Sequence, residues 1–133
     1  TETKMRVNVE KPYLAIVSEE KAFGEIRGEN RLLSTFEGLL GSEFIINSKQ
    51  EPDFILKINS NTIENGEYYG EAQVTISYTF DLTDKKGNVV YRKTSSGDYA
   101  GADFKAADNK AYIEVAKSIE RTIVRELISA VNK

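Results

Sequence analysis

The chain has 133 residues, 40% of them hydrophobic and 29% charged, with 18 basic and 21 acidic side chains for a net charge of −3. That balance argues against a nucleic-acid partner, whose phosphates are usually met by a basic patch, and no apolar run approaches the roughly 20 residues of a membrane-spanning helix. With neither cysteine nor histidine present, disulfides, thiolate catalysis, cysteine zinc sites and the usual neutral-pH base are excluded, so no cofactor is expected and an enzyme is disfavoured.

A chain of this length forms one domain, residues 1–133, and buries about two-thirds of its unfolded surface, enough for a core without metal or disulfide. It starts at Thr1 rather than Met and carries no apolar leader. That is expected of a trimmed or processed chain, whose membrane anchor, if it has one, lies upstream.

Met5 to Val9 alternates and predicts a short strand; after Pro12 the run Tyr13 to Val17 predicts another. Lys21 to Gly28 reads as a loop. Leu32, Leu33, Phe36, Leu39 and Leu40 then fall on one helical face. Asn30 is the expected N-cap and Gly41 the expected left-handed C-terminal stop. A capping box from Ser34 to Glu37 is the rival start, but it leaves barely two turns. Phe44 to Ile46 is a short strand, and Phe54, Leu56 and Ile58 alternate along the next. Asn59 to Gly66 is polar and predicts a turn-rich connection.

The strictest pattern runs from Ala72 to Leu82, where Ala72, Val74, Ile76, Tyr78, Phe80 and Leu82 alternate with Gln73, Thr75, Ser77, Thr79 and Asp81. Such a strand has one dry and one wet face and spans about 37 Å. Asp84 to Asn88 is a turn, Val89 to Thr94 the returning strand, and Ser95 to Gly101 a second loop. From Lys105 to Val131 a broad stripe (Tyr112, Val115, Ala116, Ile119, Ile123, Leu127, Ala130) predicts a helix about 40 Å long. The matching lengths place that helix across the dry face of the hairpin. The fold class is therefore α+β: a two-layer sandwich with a mainly antiparallel sheet of four to five strands, two helices on one face, and the order β-α-β-β-β-β-α.

No motif compels a chemistry. Glu19 and Glu20 are neighbours at a strand end, so they point to opposite faces and read as solvated loop charges, as do Glu64, Glu67 and Glu71. Asp81, Asp84 and Asn88 miss the EF-hand spacing, and Asp84 reads as a turn residue. Gly24 with Gly28, and Gly97 with Gly101, form no phosphate loop. Two features suit an interaction surface. Tyr68 and Tyr69, with Tyr99, are either strand-end aromatics with packed rings or a patch for a partner. Gln73, Thr75, Ser77 and Thr79 make a polar sheet face, either hydrated surface or a flat docking site, and the edge of the sheet is open to strand addition.

Pro12 with the strand Tyr13–Val17, Leu39-Leu40-Gly41, Phe44-Ile45-Ile46, Pro52 to Leu56, the hairpin turning through Asp84 and Gly87 to Tyr91, and the helix Ala106 to Leu127 form a combination over residues 12–131. It resembles the small α+β domain of bacterial envelope lipoproteins, such as penicillin-binding-protein activators, the curli-export lipoprotein and the N-terminal domain of TolB. The lipid-bearing cysteine of those lipoproteins is absent here. The resemblance implies a non-enzymatic domain, periplasmic or associated with the outer membrane, that binds a protein partner or itself and no nucleic acid. The alternative is a carrier of a lipid or small apolar ligand, which needs a cavity of about 300 Å³ between sheet and helices. A hydrolase would need two acids about 5–10 Å apart in a cleft.

Overall fold

The computed structural model describes residues 11–132. The predicted strand at Met5–Val9 lies outside them.

Among the described residues, six strands and two helical segments form two layers. Strand β1 (Tyr13–Ala22) turns through Phe23 and Gly24 into the short β2 (Glu25–Ile26). Both turn residues have positive φ, the type I′ geometry that matches strand twist. Helix α1 (Arg31–Leu40) and the two-residue β3 (Ile45–Ile46) follow. Then β4 (Phe54–Tyr68), β5 (Glu71–Asp84) and β6 (Val89–Gly101) make an antiparallel meander. Tyr69 and Gly70, again both at positive φ, close the β4–β5 hairpin. The sheet order is β2-β1-β4-β5-β6, with β3 pairing beside β1. Both β3 and β4 run parallel to β1, which sits next to β4 through the α1 crossover.

A single long helical rod closes the chain: α2 (Phe104–Ser118), a π-helical turn at Ile119–Ile123, and α3 (Val124–Val131). It lies over β5 and β6, with α1 beside it. Of the six apolar positions read from β5, Ala72, Val74, Ile76, Phe80 and Leu82 are fully buried and Tyr78 is partly so. They meet Tyr112, Val115, Ile119 and Leu127 from the rod and Phe36 from α1, whose ring stands edge-on to Phe80 at 5.0 Å.

The α+β two-layer class and the rod over the hairpin are as expected. Four local expectations are corrected. The strand β1 runs past Val17 to Ala22 and β2 follows, so Lys21 to Gly28 is largely hairpin and the sheet has six strands rather than four to five. Asn59 to Gly66 is strand, because β4 continues to Tyr68 with a bulge between Glu64 and Glu67. Ser95 to Gly101 is strand as well, paired with β5 throughout. Gly41 ends α1 at φ −63, in the right-handed region, so no left-handed stop is used there.

Candidate functional site

Among the described residues the helices cover one face of the sheet and leave the other bare. Cross-strand register puts Glu19, Asn59, Thr79 and Thr94 side by side, and Asn61, Ser77 and Ser96 in the next row. Every one of these side chains stands opposite the helices, because the neighbours at each position (Glu20, Ile58, Phe80) point into the core. This face holds a shallow, open depression of about 350 Å³, whose lining includes Glu19, Lys21, Asn59, Ser77, Thr79 and Thr94.

Hydroxyls and amides dominate, and several already interact. Thr75 Oγ1 donates to Asp98 Oδ1 at 2.7 Å, the Thr79 and Thr94 hydroxyls are 3.2 Å apart, and Arg92 Nε donates to Asp81. Lys21 Nζ is 3.4 Å from Glu19 Oε2. Two apolar side chains flank this polar field, Val17 at 58% exposure and Ile63 at 54%. The surface can hydrogen-bond an extended or flat polypeptide surface and add apolar contact at its margin.

The six residues expected to form an interaction surface are only partly brought together. Gln73, Thr75, Ser77 and Thr79 stand in file on the bare face, and Ser77 and Thr79 line the depression. Tyr68 and Tyr69 lie at the hairpin tip, eight or more residues along the strand from Thr79, or about 27 Å at strand rise. Tyr69 is wholly exposed, whereas the Tyr68 ring folds back over Gly66. Tyr99 packs on the helix side of the sheet with the core, apart from both.

The expectation that Glu20 is a solvated loop charge is overturned: it is completely buried. Its carboxylate accepts from the N–H groups of Leu32 at 2.8 Å and Leu33 at 3.0 Å, and from Ser18 Oγ at 2.7 Å. It caps the first turn of α1, the role assigned to Asn30, whose own side chain makes no capping bond. Nearby, Asp108 Oδ1 accepts from Thr62 Oγ1 at 2.6 Å while Oδ2 sits 3.3 Å from Arg27. The Arg27 guanidinium lies 3.9 Å over the Tyr112 ring and donates to Asn109 at 3.0 Å. Burial pushes the Tyr112 phenol up to about 12, against the opposing pull of Ser60 and Arg27. It therefore stays protonated and donates to the Lys21 carbonyl at 2.6 Å.

This buried network was missed at the sequence level, although a signal existed. Glu20 is in phase with Leu14 and Ile16 on β1, and Asp108 precedes Tyr112 by one turn on the buried stripe. It lies in the packed layer on the helix side of the sheet, with Glu20 and Asp108 both buried. Among the described residues no group of three acids is placed to hold a metal ion.

Together the geometry defines an α+β two-layer domain with a structural polar core and a polar sheet face that no described element covers. No family model matches the chain, and no curated protein matches it in sequence. In shape it is similar to three solved bacterial proteins. One is a candidate lipoprotein of Caulobacter crescentus, with 20% identity, TM-score 0.53, and 86% of this chain and 90% of that one covered. Another is a minor lipoprotein of Acinetobacter baumannii, with 13% identity, TM-score 0.57, and 88% and 95% covered. The third is lipoprotein GNA1162 of Neisseria meningitidis, with 11% identity, TM-score 0.57, and 86% and 99% covered. At these identities the likeness establishes a shared fold.

Proposed function

We propose that this chain is a non-enzymatic interaction domain of the bacterial cell envelope that receives a protein partner on its bare sheet face. The observation that carries this is a face across four long strands, lined with hydroxyls and amides and flanked by exposed Val17 and Ile63, which no described element covers. The envelope setting, periplasmic or at the outer membrane, draws its support from the fold shared with three bacterial lipoproteins. The absence of catalysis draws support from the buried acids, which are engaged in capping α1 and in pairing with Arg27 on the opposite side of the sheet.

The carrier alternative has less behind it. Between the layers Phe36 packs on Phe80, and the crevice beside Phe44, Ile128 and Val131 measures about 200 Å³. That is smaller than the roughly 300 Å³ of a small-ligand site.

The test is capture from envelope extracts by the wild-type chain, by Ser77→Arg/Thr79→Arg, and by Glu120→Arg on the exposed rod. Loss of the captured partner by at least tenfold with the sheet-face variant alone is the expected result. Equal capture by all three would remove the sheet face from consideration.

A further inference from the structure

The two edges of the sheet are built differently. On the β1 side, β2 and β3 pair with the two ends of the strand. Between them Asn47 clips on, its side chain accepting from the Ile16 N–H at 2.9 Å and its own N–H donating to the Leu14 carbonyl at 2.8 Å. On the other side β6 runs 13 residues, and among the described residues nothing pairs with its outer edge. An edge about 44 Å long presents a row of N–H and C=O groups that templates another strand. Proline, bulges and charged side chains blunt such edges. β6 has no proline and its one register shift lies at its start, near Val89, so its charges, Arg92, Lys93 and Asp98, are what a partner strand must match.

We propose that β6 pairs antiparallel with β6 of a second copy of this chain, about a two-fold axis at Ser95, giving one sheet continuous across two molecules. This rests on the reading of the chain as an interaction domain and names the occupant of its edge. A two-fold axis perpendicular to a sheet requires one residue to face its own copy, so only the identity of that residue is open. With Ser95 on the axis, Arg92 faces Asp98 of the second copy, twice over. Within one chain the row on the bare face already reads Lys57, Asp81, Arg92 across β4, β5 and β6. Asp98 of the second copy extends that alternation of sign by one more strand.

On the helix side Tyr91 faces Tyr99 of the second copy, again twice, and Lys93 faces Gly97, so no like charges meet. Moving the axis by one residue loses both ion pairs: Arg92 then faces Ser96 or Ala100. The pairing supplies about 12 ladder hydrogen bonds to groups that otherwise face water.

Sedimentation velocity of the full chain over a dilution series tests the assembly, the expected species having twice the 14.9 kDa chain mass. Asp98→Arg and Arg92→Glu are each expected to abolish the dimer. An equimolar mixture of the two is expected to restore it, because the new acid of one then faces the new base of the other. These 133 residues contain no cysteine, so Ser95→Cys is expected to oxidise to a covalent dimer, since the two Cα atoms at the axis lie within disulfide range. Thr94→Cys, which faces Ser96, is expected not to. A wild-type chain monomeric throughout, a dimer that survives Asp98→Arg, or equal crosslinking at both cysteine positions would each overturn the proposal. Ser77→Arg/Thr79→Arg is expected to keep the dimer while losing the sheet-face partner, so the two readings fail separately.

Discussion

Glu20 shows how a charge can be held where no solvent reaches it. The two α1 N–H groups and the Ser18 hydroxyl supply three donors to one carboxylate, and the positive end of the helix faces it. Removing the side chain leaves two helix N–H groups unpaired inside the protein. Glu20→Ala is therefore expected to destabilise the fold by about 2 kcal/mol, and Glu20→Gln, which keeps one acceptor, by about half that. Urea unfolding measures both, and an alanine variant as stable as wild type would show the cap to be dispensable. Asp53 works at the surface. The Tyr13 N–H, and after it Lys85, hold its carboxyl below the ordinary value of 3.8, while partial burial pulls the other way. The folded value lies under the unfolded one, so the stabilisation is present above pH 3.8 and is lost as pH falls through the lower, folded value. Asp53→Asn is expected to cost about 0.5 kcal/mol at neutral pH after solvent screening. It should also flatten the fall in stability on acidification below about pH 5. Melting curves across that range check the slope.

The elements repeat the lesson at the next scale. In the rod, Val115, Ile119, Ile123 and Leu127 are spaced four apart. An ordinary helix of 3.6 residues per turn would rotate such a stripe by about 40° at each step, off the sheet by its end. The π-helical turn at Ile119–Ile123 underwinds the rod where this drift accumulates, and Ile119, Ile123 and Leu127 all stay buried. The rod comes close to the sheet at Gly101, where an added Cβ would lie 2.5 Å from the Ala107 backbone nitrogen. Backbone cannot yield as a side-chain tip does, so Gly101→Ala is expected to cost about 2 kcal/mol or more, read as a lowered urea midpoint. The same juncture explains what the sequence concealed. β5 was legible because its inward positions are all apolar. The second half of β4 was not: its inward Ser60 and Thr62 serve Tyr112 and Asp108, so both faces of that stretch are polar. β6 was half-hidden because Ser95, Gly97 and Gly101 are small on the side that meets the sheet's roof. In each case a strand looked like a loop because its buried face was built of hydroxyls or of nothing at all.

For the whole molecule, the lengths of β5 and the rod were enough to foresee two layers, and hence one bare face. They were not enough to foresee which of the candidate residues share that face's depression, since this depends on register with β1 and β4 rather than on β5 alone. The tyrosines of the hairpin tip fall away from it for that reason. One consequence lies in how the chain assembles. The meander from Phe54 to Gly101 joins neighbours through short turns, whereas β1 meets β4 across a separation of 40 residues, as between Tyr13 and Asp53. Closing that excursion, α1 included, carries a larger entropic toll than the hairpin turns, so the three-strand ribbon is expected to form before β1 docks. Before β1 docks, β4 would itself be a naked border, so such a ribbon has two sticky margins where the described residues of the finished fold leave β6 as the long one.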